Sequence, residues 1–163
     1  MAVPAVAEWL QAVANWPVAA FFRDSTIAYA SLNAAHIFAI GLVIGSIAAL
    51  DLRLLGLFRG VPVGTLASPL ARVSAGGVLL AVATGFLLFT VRPLAYAQNP
   101  AFLIKISLVA IGIGNALLLR TNRNWRDALD GEPIADSIRA AAFVSLLIWA
   151  SAVLAGRWIG FLQ

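Results

Sequence analysis

Four long apolar runs alternate with short arginine-bearing segments along this chain of 163 residues, and no water-soluble fold can hide so much apolar sequence. Apolar residues make up 62% of the chain and charged residues 11%, against roughly 25% charged in an ordinary soluble domain. The bilayer is therefore the solvent. Lipid cannot satisfy backbone polar groups, so the spans must be helices. The expected fold is an all-α integral membrane protein: one domain over 1–163, a bundle of four transmembrane helices with an N-terminal interfacial amphipathic helix.

Between Asp24 and Asp51 lie 26 uncharged residues, enough to cross a hydrocarbon core of about 30 Å at about 1.5 Å per residue. The first span is expected near 26–50, capped by Asp24 or Ser25, with Asp51-Leu-Arg53-Leu-Leu-Gly56 marking its exit into water. The second is expected near 72–92, the third near 100–120 and the fourth near 139–160. Upstream, Trp9, Leu10, Val13, Trp16 and Phe21 form a pattern too short to span, which predicts an interfacial helix over 4–16. The N-terminus has no basic stretch and carries Glu8, unlike a cleaved signal peptide.

Ten of the eleven cations are arginines, gathered near the ends of the apolar runs. That placement points to topology and headgroup anchoring rather than to nucleic acid. Seven cations, Arg53, Arg59, Arg72, Arg120, Arg123, Arg126 and Arg139, fall on the side of the loops after spans one and three; four, Arg23, Arg92, Lys105 and Arg157, fall on the other. The bias predicts a bacterial inner-membrane protein with both termini outside, periplasmic in a Gram-negative host.

Small residues recur at four-residue spacing: Gly41 and Gly45, Ala81 and Gly85, then Ala152, Gly156 and Gly160. Such spacing lets helix backbones approach in lipid, so these faces are expected to pack, against a neighbouring helix or a second copy of the chain.

His36 is the one histidine. Tyr29, Asn33 and His36 step by four and three along one stripe of the first span, and Gly41 lies about 140° further round at about 100° per residue. The glycine face and the histidine stripe therefore point different ways, one to pack and the other to line a cavity. His36 should lie roughly 15 Å below the helix start, where an ionisable group is costly and marks function. A structural imidazole would hydrogen-bond Asn115 or a freed carbonyl. A bare zinc or copper site would need three or four ligands, and the chain has no cysteine and no second histidine. Haem b differs, because the porphyrin supplies four ligands and the protein need supply only one, here His36 as the metal ligand. Arg92, Lys105 and Arg157 lie toward the same side as the Tyr29–His36 stripe, a layout that haem propionates would neutralise.

Other chemistry is poorly supplied. Gly112-Ile-Gly114 lies inside a span without the strand and loop of a dinucleotide site. The serines have only His36 to activate them, and no triad results. The spans are expected to hold no acidic relay, which disfavours a proton-coupled transporter or channel.

Arg23-Asp-Ser25, His36-Ile-Phe-Ala-Ile-Gly41, Asp51-Leu-Arg53-Leu-Leu-Gly56, Thr84-Gly85-Phe-Leu-Leu-Phe89, Asn99-Pro-Ala-Phe102 with Lys105, and Trp149 to Arg157 together resemble a family of uncharacterised bacterial membrane proteins classed as a domain of unknown function. More distantly, the helix-one histidine, the mid-chain Thr-Gly and the lysine entering the next helix are similar to HemJ-type protoporphyrinogen oxidases and CopD-type copper-resistance membrane domains. The HemJ resemblance implies haem-linked roles for His36 and Lys105. The leading expectation is thus a haem b or porphyrin protein serving electron transfer or acting as a redox accessory to a membrane partner. Its rival is a non-catalytic membrane subunit or homo-oligomer with a structural His36.

The charge bias predicts that a phosphatase fused after Gln163 is active and a fluorescent protein fused there is dark. The reverse pattern would invert the orientation.

Overall fold

In the computed structural model, which describes residues 2–162, the chain is helical throughout. Helices α1 (Ala2–Ala14) and α2 (Pro17–Asp24) precede the long α3 (Thr26–Leu54) and α4 (Val63–Val91). There follow α5 (Pro93–Gln98), α6 (Pro100–Thr121), α7 (Arg123–Leu129), α8 (Asp136–Trp158) and a closing 3-10 turn, Ile159–Phe161. Four of these helices are long and apolar enough to cross a membrane. Ile27 is 81% exposed and Leu79 and Leu118 73% each, which only a lipid surround can accommodate. The chain is an all-α membrane bundle.

Local chemistry sets the helix ends. Ser25, not Asp24, caps α3, its hydroxyl accepting from the Ala28 amide at 3.2 Å. Asn99 caps α6 by accepting from the amides of Ala101 and Phe102, with Pro100 pre-set in the first turn. At the end of α3, Gly56 takes φ +106 while its amide bonds Arg53 O and that of Leu57 bonds Leu52 O, the paired closure that a glycine past a helix end permits.

Several boundaries differ from the sequence expectation. The interfacial helix covers 2–14, and Pro17 starts a second short helix at 17 in place of a continuation. α3 runs past Asp51 to Leu54, so Asp51 is 5% exposed inside the bundle and does not mark an exit into water. α4 begins at 63 rather than 72, which leaves Arg72 within the helix. The fourth span-capable segment, Asp136–Phe161, contains the expected 139–160, with α8 ending at Trp158 and the 3-10 turn continuing it.

α3 and α4 form the closest pair, α8 lies on the other side of α3, and α6 lies on α8. α4 and α6 thus flank the assembly without their backbones packing together. Aromatic side chains meet across that gap at the end holding α1, α2 and α5, here the near end: Phe89 stacks on Phe102 at 5.7 Å, with Tyr96 5.5 Å from Phe102. At the opposite, far end α7 inserts Trp125 into an apolar cluster with Leu54, Val63, Ala67, Ile138 and Ala142.

The seams use some of the small residues that the spacing suggested and not others: Gly85 meets the His36 ring and Gly156 the Lys105 side chain, whereas the Gly41–Gly45 face is open, and glycines outside the pattern also pack. A Cβ at Gly77 would lie 2.9 Å from Val43 and 3.1 Å from Leu42, and one at Gly112 3.0 Å from Trp149. Gly41 and Gly45 are exposed and meet nothing within 4 Å. The two faces of α3 do point different ways, but the histidine side packs and the glycine side is open: Leu32, Ala39, Val43 and Ser46 are buried, and His36 falls in their four-three stripe. Four-residue glycine spacing encodes a smooth face, and a partner is a separate matter.

Gly77→Leu should therefore lower stability by about 1–3 kcal/mol through overpacking, while Gly45→Leu leaves detergent unfolding unchanged. A loss at Gly45 as large as at Gly77 would assign the seam to the wrong face.

Candidate functional site

Polar side chains enter the bundle in two places. In the near half, His36 on α3 meets Thr84 on α4, with Nδ1 2.9 Å from Thr84 Oγ1. The Thr84 hydroxyl lies 2.7 Å from Leu80 O; with its proton directed there, the pair matches the tautomer in which Nδ1–H donates to Thr84 and Nε2 keeps its lone pair. The ring lies over Gly85, where a Cβ would sit 3.0 Å from its Cε1. The hydrogen-bond partner across the seam is thus Thr84; Asn115 instead donates to Ala141 O of α8 at 3.3 Å. The Thr-Gly pair in α4 is what the imidazole requires, a hydroxyl to hold it and a missing side chain to make room.

Lys105 enters from α6. Its stem and ammonium lie 3.4–3.5 Å from the position of a Cβ on Gly156 of α8, and its charge reaches the His36 ring. His36 and Lys105 therefore share the near-half interior. The other candidates do not join them. Tyr29 and Asn33 are exposed on the first turns of α3, Arg92 is exposed between α4 and α5, and Arg157 is exposed with its guanidinium 4.8 Å above the Phe161 ring. Among the described residues no three His, Cys, Asp or Glu side chains come together.

The second place, in the far half, was missed in the sequence. Asp51 borders a cavity of about 110 Å³ with Ser46, Ser74, Asn115, Ser145 and Trp149. Its Oδ2 is buried and has no hydrogen-bond partner, and the Ser145 hydroxyl is the side chain that acts on its carboxyl. Asp51, expected to mark an exit into water, is thus an interior acid, and it is the one carboxylate on the cavity wall. The available signal was Gly56, since a glycine stop five residues on leaves Asp51 inside the last turns of the helix.

A family model described as a family of unknown function (DUF6644) matches residues 20–162. No curated protein and no solved structure matches the chain.

Thr84→Val should leave the imidazole N–H unpaired and cost about 1–3 kcal/mol, with Thr84→Ser restoring stability. Equal melting of wild type and Thr84→Val would mean that the seam does not depend on this bond.

Proposed function

We propose that this chain, which belongs to the DUF6644 family of unknown function, binds haem b or a related porphyrin through His36 in a bacterial inner membrane, with its near end outside, and serves electron transfer or acts as a redox accessory. The observation that carries the reading is the His36–Thr84 bond. A ligating histidine is characteristically oriented by a hydrogen bond from its other ring nitrogen, and the tautomer with Nδ1–H toward Thr84 would leave Nε2 free to ligate.

His36 would hold the iron through a ring nitrogen, and Lys105 would make a charge-assisted contact to one propionate. Arg92 and Arg157 are exposed at the near-end rim, where only a propionate reaching the surface would meet them, and the same holds for contact with Tyr29 and Asn33. Bound haem supplies a one-electron couple. Thr84 fixes the plane and tautomer of the imidazole, and the stacked Phe89 and Phe102 screen the near-end gap between α4 and α6 from water. With one histidine in the chain, a second strong nitrogen ligand requires His36 of another copy. The likeness to HemJ-type proteins at His36 and Lys105 points the same way, although oxidase activity is no part of the proposal.

A second reading, a non-catalytic membrane subunit or homo-oligomer, is favoured by Gly85. The imidazole fills the space of its missing side chain, which makes His36 part of the α3–α4 seam whether or not anything binds it.

Protein purified in mild detergent after expression with ample haem should show a Soret band that His36→Ala abolishes. Lys105→Met should weaken haem retention by roughly tenfold, as the loss of one charge-assisted contact implies. No Soret band in the wild type, or one that survives His36→Ala, selects the non-catalytic subunit.

A further inference from the structure

The far-half cavity has no part in that reading, and its chemistry is specific. Asp51 is 5% exposed, projects from the last turns of α3 and leaves Oδ2 unpaired. The polar groups around it have largely committed their donors elsewhere. Ser46 gives its hydroxyl proton to Leu42 O at 2.6 Å and Asn115 its amide to Ala141 O, which leaves the Ser46 oxygen and the Asn115 carbonyl as acceptors. Ser74 and Ser145 add two hydroxyl oxygens to the wall. One buried acidic group with an unpaired oxygen, among the neutral oxygens of three serines and an asparagine, is an arrangement that favours a compensating positive charge.

We propose that this cavity is a binding site for one small monovalent cation, held by the Asp51 carboxylate and the neutral oxygens of α3, α4, α6 and α8. One carboxylate balances one positive charge, whereas a divalent ion would leave a net charge in the bundle. Oxygen-only ligands suit a hard cation and do not suit a transition metal. At about 110 Å³, the cavity has room for a sodium or potassium ion together with water.

Arg120 is the one other charged residue on the wall, and it does not fill this role. It is exposed, and the ion pair found among the described residues is Arg139 with Asp136 at 3.8 Å. Arg120 also borders a wider recess with Ser68, Arg72 and Trp125 beside the cavity. The apolar cluster around Leu54, Trp125 and Ile138 closes the far end.

The test is thermal unfolding of the full chain in mild detergent, titrated with sodium chloride or potassium chloride against choline chloride at constant ionic strength and pH. The melting temperature should rise saturably with sodium or potassium over choline, and Asp51→Asn should flatten that rise. Ser46→Ala and Ser145→Ala should each raise the half-saturating concentration, by about tenfold for the loss of one oxygen contact to a charge. These two variants and the wild-type salt series read the proposal even where Asp51→Asn yields no folded protein. Equal melting in all three salts overturns it. So does a rise that survives Asp51→Asn, or one whose midpoint neither serine variant moves.

Discussion

The close approach of α3 and α4 at Gly77 and Gly85 is the contact on which the rest of the bundle depends. Lipid chains are as apolar as leucine, so helices in a membrane gain little from hydrophobic burial and must associate through close dispersion contacts and interhelical hydrogen bonds. Gly77 admits Val43 and Leu42, and Gly85 admits the His36 ring. The His36–Thr84 bond then lies in the same seam and fixes the rotation of one helix against the other. Beside that pair, α8 packs on α3, and α6 packs chiefly on α8, through Gly112 and Trp149.

That order of attachment leaves α4 and α6 apart and sets where polar chemistry can be placed. Side chains bridge the gap at the near end through Phe89 and Phe102, while α7 covers the far end with Trp125. Between these closures the interior holds His36 with Lys105 in one half and Asp51 with its serines and asparagine in the other. Fifteen residues along one helix separate His36 from Asp51, about 22 Å. Each is too costly to hold in hydrocarbon without local partners, and each is partnered by a different set of helices.

The segment Asp51-Leu-Arg53-Leu-Leu-Gly56 shows how one short stretch serves several ends. Asp51 faces the cavity, and Leu54 is fully buried in the far-end cluster. Arg53 turns outward and donates to Val61 O at 2.6 Å, bracing the loop to α4, while Gly56 closes the helix with a positive φ. Read as sequence, the same charges mark a boundary with water, because an aspartate and an arginine after a long apolar run ordinarily do. Their true roles depend on α8 and the loop, which are distant in the chain.

The sequence by itself determined that this is a membrane protein with four helical spans, because lipid forces every backbone polar group to be satisfied within its own helix and composition alone reveals where that must happen. It also singled out His36 as the one interior imidazole, since one histidine in an apolar span needs no structure to be noticed. Only the tertiary structure decided which face of α3 packs, because a small-residue stripe such as Gly41 and Gly45 is equally suited to a neighbour or to lipid. Only the tertiary structure brought Thr84 to His36 and drew Asp51 inside, since both depend on side chains of other helices whose placement comes from packing and not from local pattern.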